Sequence, residues 1–282
     1  MPNANHEQNF WIDADELVRL NGTALAPTVF DVRRPAAIEA SGRTIAAAQW
    51  RDHSAVANWS DELDPAKDVV VSCVHGHNVS QSAAAMLRSR GLRARTLRDG
   101  MDGYIQAGGV TSAWRRELHG HSEPSCWVTR EQPKIDRIAC PWLIRRFIDA
   151  HARILYVGAD YVIPIAEEFG GTPFDVDGVQ YSHDDEQCSF DAFLRAFDID
   201  DAALNHVARI VRGADTARLD LAPECAGLLA LSLGVSNLHR SDLAAMQHGF
   251  TIYDALYAWA RSARDETHNW PAVEVATGSC TQ

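Results

Sequence analysis

Asp68-Val69-Val70-Val71-Ser72 is a short apolar run, and a run of this length and β-branched content reads as a buried strand. Cys73-Val74-His75-Gly76-His77-Asn78-Val79-Ser80 follows as a loop. Gln81 to Arg90, rich in Ala, Leu, Met and Arg, then reads as a helix stopped by Gly91. The order strand, loop, helix places a thiol at the junction. There it faces backbone N–H groups and the positive end of the helix dipole, both of which favour the thiolate and raise its nucleophilicity at neutral pH. The same loop suits an anion, with Gly76, Asn78 and Ser80 as candidate contacts. The ordinary alternative is a small buried thiol without chemistry. Gly76, which permits a tight loop, and the polar residues around it favour a reactive Cys73.

The flanks extend the pattern. Thr28-Val29-Phe30-Asp31-Val32-Arg33 ends an earlier strand with an Asp and an Arg at its carboxyl edge. Pro35 to Ala40 reads as a short helix before Gly42, and Ala94-Arg95-Thr96-Leu97 as a strand. Gly100-Met101-Asp102-Gly103-Tyr104 reads as a turn entering a helix closed by Gly108-Gly109. In this order and spacing, residues 10–110 resemble the rhodanese (sulfurtransferase) domain. The resemblance implies an α/β, doubly wound, mostly parallel sheet with the Cys loop at the carboxyl ends of the strands. It also implies a mechanism in which the Cys73 thiolate attacks the outer sulfur of a donor such as thiosulfate, becomes a persulfide and passes the sulfur to a nucleophile. Loop N–H groups would stabilise the charged persulfide. Asp31, His75 and His77 join Cys73 as the candidate catalytic set. No cofactor is required for that transfer. The loop departs from the family pattern, with His77-Asn78-Val79 where an Arg usually follows the Gly, and one more residue before Ala83-Ala84-Ala85. His75 or His77, if protonated, would replace that Arg charge in part.

Composition bounds the remaining functions. At 282 residues, one large domain or two ordinary ones fit, and 46% hydrophobic content supports packed cores. A formal charge of −12 argues against a nucleic-acid groove. The six cysteines form no CxxC pair and no zinc spacing. Met1-Pro2-Asn3-Ala4-Asn5-His6-Glu7 has neither the basic start nor the apolar core of a signal peptide, and no apolar run approaches a membrane span. A cytoplasmic protein with free thiols and no membrane partner is the expectation.

The chain is expected to divide into a rhodanese-like domain over 1–118, a linker over 119–132 and a second domain over 133–282. Thr111 to Leu118 reads as a short helix, and His119-Gly120-His121-Ser122-Glu123-Pro124-Ser125 as a polar linker whose two histidines also suit a metal. Trp127 to Arg130 reads as a strand, with Pro141 in the first turn of a helix that follows. Ile154 to Val157 is a strand; Gly170-Gly171-Thr172-Pro173 is a turn before Phe174-Asp175-Val176. Helices are expected over Ala203 to Val211, from Pro223-Glu224 to Leu233 with Gly234 as the stop, and over Met246 to Ala260. This half is thus mostly helical, α+β.

Lys134 to Ile148, Cys188-Ser189-Phe190-Asp191-Ala192-Phe193, Ile210-Val211-Arg212-Gly213-Ala214-Asp215 and Tyr253-Asp254-Ala255-Leu256-Tyr257 resemble the ChrB-type chromate-resistance domain. That resemblance spans about 127–262 and implies a chromate-responsive regulator or accessory protein. Two chemistries fit the residues themselves. His183, Asp184, Asp185, Glu186 and Cys188 lie together, with Asp191, His206 and Asp215 beyond. Imidazole with carboxylates suits a divalent Mn, Fe or Zn, with His183, Asp191 and Asp215 as preferred ligands and His206 and Glu186 in reserve. Lys134, Arg137, Arg145 and Arg146 suit a tetrahedral oxyanion, and Arg137 and Arg145 stand a little over two helical turns apart. Cys140 beside them reads as a packed thiol or a redox thiol. The leading expectation is a thiosulfate-sulfurtransferase-like activity at Cys73 within a chromate-resistance protein, with a small sulfur donor or oxyanion and a protein thiol as acceptor. The alternative is a chromate- or metal-binding sensor whose rhodanese fold is an interaction module.

Overall fold

The computed structural model describes residues 10–120 and 123–266. The N-terminal half runs β1 (Trp11–Ile12), α1 (Ala14–Leu20), β2 (Thr28–Asp31), α2 (Pro35–Ser41), β3 (Arg43–Ile45), β4 (Gln49–Trp50), α3 (Val56–Trp59), β5 (Asp68–Ser72), α4 (Asn78–Ser89), β6 (Arg93–Leu97), α5 (Gly100–Gln106) and β7 (Thr111–Ala113). Five strands form a wholly parallel sheet in the order β1-β6-β5-β2-β4, and β3 pairs antiparallel with β7 beside it. Strand pleating sends successive side chains to opposite faces. Val69 and Val71 therefore pack with Phe30, Trp59, Ala83 and Leu87 on one side, while Val70 packs with Ile12, Leu17, Met101 and Tyr104 on the other. Both faces are covered, which is why the valine run shows no polar alternation.

The second half runs α6 (Arg116–His119), β8 (Cys126–Arg130), α7 (Asp136–Leu143), β9 (Arg153–Val157), α8 (Val162–Glu168), β10 (Thr172–Pro173), α9 (Ser189–Ala196), α10 (Ala202–Asp215), α11 (Cys225–Leu238) and α12 (Asp242–Ser262). Its strands form a parallel sheet, β10-β8-β9. Its core is aromatic. Trp142 packs against Phe147, Phe190, Tyr253 and Tyr257, and Trp127 against Tyr181, Phe193 and Phe197. The two halves are stitched by main chain. Ala47 N–H donates to Phe147 O at 3.0 Å and Ala113 N–H to Phe197 O at 2.7 Å. Among the described residues, no helix is long and apolar enough to cross a membrane.

Several local expectations change. Thr111–Ala113 is a strand rather than the start of a helix, because it completes β3, and only Arg116–His119 turns helical. The stretch 119–132 is not simply a linker. It contains β8, and Ser125 is tied to Asp149 by its N–H (2.8 Å) and hydroxyl (2.6 Å). Gly234 lies inside α11, which continues to Leu238, so it does not stop the helix. Pro141 is also interior to its helix. Lacking an N–H, it cannot bond the carbonyl four residues back. That carbonyl, Arg137 O, instead accepts the Tyr156 hydroxyl at 2.7 Å, and the helix continues past Leu143 as a π-helical turn, Ile144–Ile148. The segments Met1 to Glu7 and His121 lie outside the described residues.

Candidate functional site

Cys73 follows the last residue of β5, and the helix begins five residues later. Asn78 is thus the first helical residue rather than a loop residue, with His77 before it at the cap. Asn78, Val79 and Ser80 carry the N–H groups that a helix leaves without an internal acceptor. Cys73 is 7% exposed, and its sulfur lies 3.1 Å from Ser80 Oγ and 3.9 Å from His77 O. The loop is braced from behind by α5. Met101 N–H donates to Cys73 O at 2.8 Å and Asp102 N–H to Val74 O at 3.2 Å. Gly76 and Gly100, both at positive φ, let the two backbones meet. A Cβ on Gly76 would stand 2.6 Å from Leu97 O, and one on Gly100 would stand 2.5 Å from Gly76 N. Gln81 Nε2 holds Gly76 O at 3.0 Å. His75 and His77 point to solvent as exposed residues, and His75 Nδ1 sits 2.9 Å from Asp102 Oδ2.

Asp31 has a different role from the one expected. It is buried, and Arg33 grips it through Nε (3.0 and 2.9 Å) and Nη2 (2.6 Å), with Thr44 Oγ1 at 3.3 Å. Arg33 Nη2 also bonds Arg43 O. Asp31 is therefore spent on fastening β2 to β3, since a buried carboxylate must be paired.

The second cluster is in the C-terminal half. His183 Nε2 lies 3.1 Å from Asp215 Oδ2, 3.4 Å from Asp175 Oδ1 and 3.6 Å from Asp136 Oδ2. Donor atoms of Asp136, Asp175 and His183 all lie within 4.8 Å of one another. Asp136 opens α7, Asp175 follows β10, and Asp215 ends α10. Ser189 at the start of α9 ties two of them, its N–H to Asp136 Oδ2 (2.7 Å) and its hydroxyl to Asp175 Oδ1 (2.9 Å). Burial pushes the Asp136 carboxyl well above its ordinary range, and the charges of Asp215 and Asp175 add to it. Burial works the same way on Asp175, but hydrogen bonds from His183, Arg130 and Ser189 prevail and hold it low. His183, bonded to Asp175 and Asp215, is raised to about 10 against the opposing effect of burial.

The backbone at this cluster is strained. Ile135, immediately before Asp136, has φ 37°, and Asp175 has φ 55°. A β-branched residue at positive φ persists only where its surroundings over-determine it. Ile135 N–H donates to Ser232 Oγ (2.7 Å) and Ile135 O accepts the Tyr253 hydroxyl (3.0 Å).

Of the expected metal ligands, His183 and Asp215 meet, and Asp191 and His206 do not join them. Asp191 accepts both Nε (2.9 Å) and Nη2 (2.7 Å) of Arg212 and the N–H of Cys188, which caps α9. His206 is buried against Trp259, with ring centroids 5.6 Å apart. Glu186 is exposed. His119 is buried with Nδ1 against the Arg115 main chain, so it is not half of a surface histidine pair. Sequence reasoning missed Asp136 and Asp175. The available signal was an acidic residue embedded in each of two apolar stretches, Ile135-Asp136 and Phe174-Asp175-Val176.

The basic residues in and around α7 do not converge on an oxyanion site. Arg137 lies 3.5 Å from Asp175 and donates to Glu131 O (2.8 Å); Arg145 donates to Ala152 O (3.0 Å). Arg146 forks onto Asp254 with both bonds at 2.9 Å, and Lys134 is exposed. Each arginine is taken by an acceptor its own packing supplies. Burial pushes the Cys140 and Cys188 thiols well up, so neither is a thiolate at neutral pH. Among the described residues, Cys73, Cys126, Cys140, Cys188 and Cys225 are all free.

Fold and site together define the class: a parallel-sheet α/β unit, with a cysteine between strand and helix, joined to a helical, aromatic-cored domain. Residues 127–260 match the family model described as ChrB, C-terminal domain. Protein ChrB of Cupriavidus metallidurans is 32% identical over 139 residues, which cover 49% of this chain and 41% of that protein. The chain thus spans less than half the length of that relative. A rhodanese-related protein from Thermoplasma volcanium is 28% identical, covering 36% of this chain and 95% of its own, with a TM-score of 0.32. A rhodanese-like domain protein from Staphylococcus aureus is 19% identical, covering 33% and 88%, with a TM-score of 0.30.

Proposed function

We propose that this protein acts in chromate resistance and that its N-terminal half carries sulfur as a persulfide on Cys73. The observation that supports this most is the placement of the Cys73 sulfur at the carboxyl end of β5 beneath the start of α4, in a loop pinned by Met101 and Asp102. In the first half-step the thiolate attacks the sulfane sulfur of a donor. With thiosulfate, a S–S bond forms at Cys73, the donor S–S bond breaks, and sulfite leaves with the electron pair. In the second, a nucleophilic acceptor takes the outer sulfur and returns the thiolate. The Ser80 hydroxyl, 3.1 Å from the sulfur, and the free N–H groups at the start of α4 would hold the persulfide charge.

The loop side chains that can carry positive charge, His75 and His77, are both exposed, and His75 is engaged with Asp102. Such a loop holds a dianion less firmly than an Arg-bearing one, so a low-molecular-weight persulfide is the better donor and thiosulfate the poorer. The test is cyanolysis after loading with each donor, with intact-mass analysis. A one-sulfur adduct and thiocyanate release, both lost in Cys73→Ser, are the expected results. No adduct from either donor refutes the sulfur-carrying half of the reading and leaves the fold as an interaction module.

A further inference from the structure

We propose that Asp136, Asp175 and His183 form a binding site for one divalent first-row transition ion, with Asp215 alongside. The cluster of acids does not carry this by itself. The decisive atom is Asp136 Oδ1, which belongs to a residue 1% exposed and has no hydrogen-bond partner. Its sister oxygen is satisfied by Ser189 N–H. Ionised, Oδ1 is a buried charged acceptor with no donor; protonated, it is a buried donor with no acceptor. Either state leaves a desolvated polar atom uncompensated, which folded proteins rarely tolerate without a ligand. A cation bound there removes the deficit.

The surrounding charges point the same way. Arg130 and Arg137 are the nearby guanidinium groups, and both go to Asp175: Arg130 at 2.8 Å and Arg137 at 3.5 Å. Neither neutralises Asp136. The cation that faces it is His183, at 3.6 Å and with a side chain 41% exposed. An imidazole at the rim gives an ion its route in. The spacing also fits. Ligands about 2.1 Å from an ion stand about 3 Å apart on neighbouring octahedral vertices. The three carboxylates lie 3.1 to 3.6 Å from His183 Nε2. A set of carboxylate oxygens with a single imidazole and no thiolate favours Mn(II) or Fe(II) over the soft ions. The ligands come from three separate segments braced by Ser189, so an ion would also lock α7 to the loop before α9.

The test uses the full chain, stripped with a chelator and titrated with Mn(II), with free Mn(II) read by electron paramagnetic resonance. One ion per chain is expected, with affinity weakened about 100-fold or more in Asp136→Asn. His183→Gln, at a half-exposed position where folding is not in question, is expected to weaken it likewise, and Mn(II) is expected to raise the melting temperature of wild type but not of Asp136→Asn or His183→Gln. Cys73→Ser should bind as wild type does, which separates this site from the sulfur chemistry. A wild-type chain that takes up no Mn(II), or uptake unchanged in His183→Gln, overturns the proposal.

Discussion

Replacing Gly100 by alanine probes how firmly the Cys73 loop is held. Gly100 sits at φ 58°, where an L side chain costs about 1–2 kcal/mol. The added Cβ would stand 2.5 Å from Gly76 N and 2.6 Å from Val74 O, and closer still to Cys73 O. All three are main-chain atoms, so relief requires the loop to recede by about 1 Å toward ordinary contact. That movement breaks the bonds from Met101 N–H to Cys73 O and from Asp102 N–H to Val74 O. At about 1 kcal/mol each, they bring the total to about 3–4 kcal/mol. Gly91→Ala supplies the control. Gly91 has φ 83° but nothing within 4 Å of its added Cβ, so it bears the backbone cost alone, about 1–2 kcal/mol. Any unfolded-state effect of the methyl group is common to both variants and cancels in the comparison. Urea unfolding followed by circular dichroism should place Gly100→Ala about 2 kcal/mol below Gly91→Ala at equal denaturant slope. Equal stabilities, with unchanged alkylation of Cys73, would refute the bracing role of α5.

Tyr156→Phe should cost about 1–3 kcal/mol by leaving Arg137 O without a donor, and most of that loss should vanish in a Pro141→Ala background, where residue 141 regains an N–H; additive effects in this double-mutant cycle would exclude the exchange. His119 is 1% exposed and burial holds its pKa below the ordinary value, so the unfolded chain takes up this proton first. Its contribution should be complete above pH about 6.5 and decline as pH falls toward the folded value, and a melting profile equally steep in His119→Gln would assign the acid sensitivity elsewhere.

What the amino-acid order determined by itself is local. The valine run, Gly91 and the polar Cys73 loop carry their own strand, stop and turn, because period and breaker residues act within a few positions. His183 and Asp215 were legible as ligand types for the same reason: residue chemistry needs no partner to be recognised. Tertiary packing decided the rest. Asp136 and Asp175 reach His183 only because α7, β10 and α9 meet around Ser189. Asp191 was withdrawn from the cluster by Arg212, an acid–base choice that depends on α9 lying against α10. The same holds for Arg137, Arg145 and Arg146, each claimed by an acceptor that folding brought near. A charged side chain leaving water takes the partner the packed elements present, and the linear spacing of residues does not record which partner that is.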